Sequence, residues 1–146
     1  MSDIESIEDV RAKLEYKKAE RADIEAQREA EAEEAKARRE LADLEKLEEL
    51  EAEHGPLGDG LAKVEIANRF TVFLKRGSKA HWAKLKSYGE NIKEKNVADF
   101  IKPHIVSPSV AEVVALADDY PILWGSLMEA MNALAGIRNE RLTGKS

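Results

Sequence analysis

EHGPLGDG, residues 53–60, and the LAKVEIANRFTVFLKR that follows it to residue 76 mark where the chain changes character. Gly55 can take the left-handed conformation that terminates a helix, and Pro56 cannot continue one. Upstream, from Ile4 to Glu53, neither Gly nor Pro occurs and Ala, Glu, Leu, Lys and Arg dominate, which predicts one unbroken helix. Fifty residues at 1.5 Å each would reach roughly 70 Å, more than a small domain needs to span itself. Downstream, Val64, Ile66, Phe70, Val72 and Leu74 fall on alternate positions, the one period-two signal in the chain, and predict a single short β-strand that needs a partner within or between chains.

The long helix has an incomplete seam. Ile7, Val10 and Leu14 begin a heptad, but the same register then meets Lys17, Arg21, Arg28, Glu31 and Arg38. Leu41, Leu44, Leu47 and Leu50 are spaced by three and drift around the helix, an end suited to packing on the body. Between these segments, pairs such as Glu34 with Arg38 and Glu25 with Arg28 describe a solvated rod. Charge is polarised: residues 1–54 hold 19 acids against 10 bases, and residues 55–146 hold 10 against 13, for a net charge of −6.

Beyond the strand, short helices are punctuated by clear signals. Ser78 caps one carrying Trp82 and Leu85, closed by Gly89. Val97, Phe100 and Ile101 mark a second, stopped by Pro103. Ser107, Pro108 and Ser109, with Glu112 three residues on, start a third. After Asp118, Asp119, Tyr120 and Pro121 a closing helix turns Leu123, Leu127, Met131 and Leu134 inward and ends at Gly136. The fold class that follows is mainly α: a charged N-terminal helical arm with partial coiled-coil character (1–54), a Gly/Pro hinge (55–60), a compact helical domain with one short strand (61–136) and a flexible tail (137–146).

Few residues are arranged for chemistry. With no cysteine there is neither a disulfide framework nor a thiolate centre. Gly55 and Gly60 have phosphate-loop spacing, but Leu61 stands where a lysine is required. Glu51 and His54 form one i, i+3 pair where a helical metal site needs two. His81 and His104 lie apart in sequence, and the adjacent Asp118 and Asp119 suit a cap better than acid/base work. No catalytic residue, metal or cofactor is expected. Lys75, Arg76, Lys79, Lys84, Lys86, Lys93, Lys95 and Lys102 interleave with Trp82, Tyr88 and Phe100 in a manner compatible with nucleic acid. Glu90, Glu94 and Asp99 dilute this patch, which favours a solvated face or a docking surface for an acidic helix over direct nucleic-acid binding. An acidic N-terminus without an apolar stretch, and no run long enough to cross a bilayer, predict a cytoplasmic protein.

From Phe70 the order of elements resembles the tail assembly chaperones of long-tailed bacteriophages: the apolar run Thr71–Leu74, the basic pair Lys75 and Arg76, Ser78 opening a helix, Ile105 and Val106 before Pro108, Tyr120 and Pro121, and a last helix ending Leu134, Ala135, Gly136. The resemblance spans about residues 64–136 and departs from the family at Gly77 and in the long arm. It implies a helper that coats the helix-rich tape measure protein during tail assembly, in the host cytoplasm, without cofactor. A structural virion or scaffolding component fits the same features, and so does a nucleic-acid module with an acidic arm. Partner contacts are expected at Trp124, Tyr120, Pro121, Met128, Lys75 and Arg76, and self-association through the N-terminal helix. Trp124 lies about 100° off the inward face of the closing helix, near Met128 and Met131, so it is either a partly exposed gripping surface or a residue wrapped into an aromatic-poor core.

Overall fold

The computed structural model describes residues 6–136. The expected flexible tail lies outside the described residues. Helix α1 runs unbroken over Ile7–His54, as the absence of Gly and Pro predicts. Contacts divide the chain after Leu44. Up to that point α1 is a solvated helix with no core of its own. Ile7, Val10, Leu14, Leu41 and Leu44 are exposed, and charges pair along its surface, Lys17 with Glu20, Arg21 with Glu25 and Arg38 with Glu34.

The second unit takes in the last turns of α1 from Glu45. Gly55, at φ 103°, ends the helix, and its N–H bonds to the Glu51 carbonyl. The segment that follows is tightly hydrogen-bonded. The Asp59 and Gly60 N–H groups return to the Pro56 carbonyl, and the Glu51 carboxylate accepts from the Leu57 N–H at 2.8 Å. At Gly60 a Cβ would stand 1.7 Å from the His54 carbonyl oxygen, so no other residue fits.

The single expected strand is in fact two. Strands β1 (Leu61–Ile66) and β2 (Phe70–Lys75) pair antiparallel from Leu61 opposite Lys75 to Ile66 opposite Phe70. The turn between them places Ala67 and Asn68 both at φ 55°, with the Arg69 N–H bonded to the Ile66 carbonyl. Asn visits this region readily, but Ala does not, and without a glycine the turn has no sequence signature. A third strand, β3 (Ile105–Ser107), pairs antiparallel with the other side of β2, giving the order β1-β2-β3. Three residues are too few to show a period, which is why β3 has no signature in the sequence.

Strand β2 is buried on both faces. Val72 and Leu74 enter the main core with Leu85, Phe100, Ile101, Val113, Leu123, Leu127 and Met131. Phe73 turns the other way, into a second cluster with Leu50 of α1 and Leu61, flanked by Leu47 and Val106. The helices keep their predicted starts. Ser78 caps α2 (Lys79–Lys86) by accepting from the His81 N–H, and Ser109 caps α4 (Val110–Asp119) by accepting from the Glu112 N–H. Helix α2 ends at Ser87, and Gly89 instead opens a single 3₁₀ turn, Gly89–Asn91. Helix α3 (Glu94–Ile101) runs into another such turn at Pro103, and α5 (Leu123–Leu134), the last helix of the described residues, precedes Gly136 at φ 77°.

Two measurements test this packing. Leu50→Ala should lower the unfolding free energy by about 2–4 kcal/mol, since a core leucine loses both transfer energy and packing. A loss no larger than that of Leu41→Ala on the exposed part of α1 would refute the second cluster. Ala67→Gly should stabilise the protein by about 0.5–1 kcal/mol in denaturant titration. Relief of a left-handed alanine, worth about 1–2 kcal/mol, outweighs the greater freedom glycine has when unfolded, about 0.4–1 kcal/mol.

Candidate functional site

One depression of the second unit lies on partner-binding residues anticipated from sequence, Trp124, Pro121 and Met128. It is an open groove of about 630 Å³ between α3 and the first half of α5. Pro121 and Ile122 form one end, Trp124, Gly125 and Met128 line the α5 side, Val97 the α3 side, and Glu94 and Glu129 stand on it as its charged members. The closing helix generates this surface by its periodicity: Leu123, Leu127, Met131 and Leu134 are all buried, so the residues one position on are turned toward the groove.

Trp124 is only 8% exposed, which corrects the partly exposed tryptophan and decides for the core alternative as regards its burial. What remains accessible of it forms part of the groove wall. Ile122 is the truly exposed apolar side chain, at 78%. Sequence reasoning missed it. Its signal is its position immediately after the Tyr-Pro turn, ahead of the inward set and outside that set's phase. Gly125 was missed too. It sits in the first turn of α5, where glycine costs roughly 0.5–1 kcal/mol relative to alanine, and a Cβ there would meet nothing within 4 Å.

The other anticipated contacts lie elsewhere. Tyr120 packs its ring edge-on against Phe70, centroids 5.8 Å apart. The Arg76 guanidinium donates to the Leu134 carbonyl at the C-terminus of α5 and pairs with Asp59 at 3.5 Å, a capping role that its sequence position does not reveal. Lys75 is half-buried near His104.

A second cleft, about 170 Å³, separates α2 from α3 and is lined by His81, Lys84, Leu85, Tyr88, Asn96, Asp99, Phe100 and Pro103. The two histidines that are distant in sequence meet beside it, rings edge to face at 4.8 Å. His81 Nδ1 shares a hydrogen with Ser78 Oγ at 2.6 Å, but that hydroxyl is already occupied as the α2 cap. The buried His104 holds Nδ1 2.8 Å from the Phe100 carbonyl oxygen. A carbonyl can only accept, so Nδ1 carries the hydrogen. Burial pushes the His104 pKa down, with the Phe100 bond opposing and the charges of His81 and Lys75 adding to the fall. Trp82 and Phe100 pack on each other at 4.6 Å and Tyr88 packs against the same core, so all three aromatics of the basic patch are engaged by the core rather than offered for base stacking.

Among the described residues no three His, Asp or Glu side chains are grouped to hold a metal ion, and no helix is long and apolar enough to cross a membrane. No family model, curated protein or solved structure matches this chain.

The His104 environment makes stability pH-dependent. Its proton affinity is lower folded than unfolded, so the unfolded chain gains the proton first as pH drops below about 6.5, the ordinary histidine value. Stability should therefore fall between pH 7.5 and pH 5 in denaturant titrations. His104→Gln should flatten that slope, and an unchanged slope would refute the assignment.

Proposed function

We propose that this chain is a non-enzymatic assembly helper of the tail-chaperone type, which holds the elongated, helix-rich tape measure protein in solution while a phage tail tube is built around it. The observation that carries the reading is the α3/α5 groove, open and walled by Trp124, Met128, Val97 and Ile122. An aromatic anchor beside a methionine and an unpartnered isoleucine makes an adaptable apolar surface for a protein partner. The His81 and His104 pair offers no comparable case for catalysis. The Ser78 hydroxyl caps α2 by accepting from the His81 N–H, and His104 is buried, with burial pushing its pKa down.

The exposed stripe Ile7, Val10 and Leu14 supports a second contact, in which α1 pairs with other long helices, its own copies included. The charged middle of α1 limits such pairing to its ends and keeps it reversible, as an agent displaced during assembly requires.

Co-expression with the tape measure protein of a long-tailed phage should convert that protein from aggregate to a soluble complex that co-elutes on size exclusion. The helper should be missing from purified particles. Retention there in fixed stoichiometry would replace this reading with a structural virion role. A tape measure protein that is equally insoluble with and without the chain would remove the chaperone reading altogether.

A further inference from the structure

We infer that the α3/α5 groove takes an amphipathic helix whose apolar ridge is flanked by lysine or arginine, and that this helix comes closest at Gly125. The inference rests on the reading of the chain as an assembly helper and specifies what its groove selects.

Two observations identify the occupant. The first is Gly125. Its φ is not in the left-handed region and a Cβ would touch nothing, so neither turn geometry nor internal packing calls for glycine there. What the missing side chain provides is a low point in the groove, between the Trp124 and Met128 walls, where another backbone can approach. Helices pack at distances set by the side chains at their crossing, and a crossing over glycine is among the shortest. No strand contributes to the groove, so it offers no backbone edge to an extended peptide.

The second is charge. Glu94 and Glu129 line the groove from α3 and α5 respectively, and among the described residues neither is paired with a cation. Lys93 and Lys95 adjoin Glu94 in sequence but do not line the groove. An apolar ridge seated between the walls therefore brings its flanks against carboxylates. Basic flanks gain, and acidic flanks are repelled where water is partly excluded. This is a selection rule that the net charge of the chain, shared over a long solvated helix, does not supply.

The test uses the full chain and two labelled synthetic helices of about 20 residues with the same leucine ridge, one with lysine flanks and one with glutamate flanks. Anisotropy titration should show the lysine peptide binding about tenfold or more tightly, a difference within reach of a few close charge contacts. Glu94→Lys combined with Glu129→Lys should reverse the preference. Gly125→Leu should weaken both peptides while the melting temperature holds, because its added atoms enter open space. Equal binding of the two peptides, indifference to Gly125→Leu, or displacement of the bound peptide by excess unlabelled chain would overturn the proposal, the last by making a second copy the occupant. The underlying reading fails separately. A tape measure complex that forms and survives Gly125→Leu sinks the groove assignment alone, whereas peptide binding without that complex sinks the chaperone reading alone.

Discussion

Everything in the second unit depends on burying β2 from both sides. A six-residue strand carrying Val72, Phe73 and Leu74 in succession cannot leave either face in water. Each such side chain is worth about 1.5–3 kcal/mol when buried, and a three-stranded sheet this small has no second sheet to supply cover. Helices supply it. On one face α3 and α5 bring Phe100, Ile101, Leu123, Leu127 and Met131 against Val72 and Leu74. On the other, Phe73 is met by Leu50, which recruits the final turns of α1 to the body. The Gly-rich turn between α1 and β1 then has little freedom, because the contact of Gly60 with the His54 carbonyl fixes how the helix hands over to the strand.

The same requirement creates the groove. Helix α5 commits one face to the sheet and another to α3, and its remaining residues are left without cover from the domain. Gly125 is such a residue, the half-buried Met128 and the edge of Trp124 flank it, and the Tyr-Pro turn delivers Ile122 next to them. The candidate interface is thus a by-product of how a short helix divides its circumference between two neighbours. Residues that were anticipated as contacts but have structural partners, Arg76 with Leu134 and Tyr120 with Phe70, belong to the scaffold of this arrangement.

Local signals in the sequence were readable wherever one residue type has one physical use. Gly55 and Gly136 as helix ends, Ser78 and Ser109 as caps, and the unbroken run of helix formers in α1 are of this sort. The inward set of the closing helix followed from its spacing. The sheet did not, for reasons that lie in particular residues. Ala67 adopts a conformation that its side chain disfavours, so the hairpin turn is imposed by the strands on either side of it. Phe73 breaks the alternation because both faces are covered, and β3 is too short for a pattern. Of the candidate site, Trp124 and Met128 could be found from helical phase and Pro121 from its turn, whereas Glu94 and Val97 arrive from a helix remote in sequence and become neighbours only through packing.

The order of the strands also ranks the steps by which the sheet can assemble. β1 and β2 are joined by three residues, while β2 and β3 are separated by all of α2 and α3. A connection roughly ten times longer costs about 2 kcal/mol more in closure entropy. The hairpin is therefore the local event, able to form on the microsecond scale of isolated hairpins, and β3 must wait for the intervening helices to shorten the distance it has to search. During that interval β2 has one paired edge and two uncovered faces. A newly made chain is most adhesive at that moment, and the leucines at the end of α1, already synthesised, are the nearest surface to shield it.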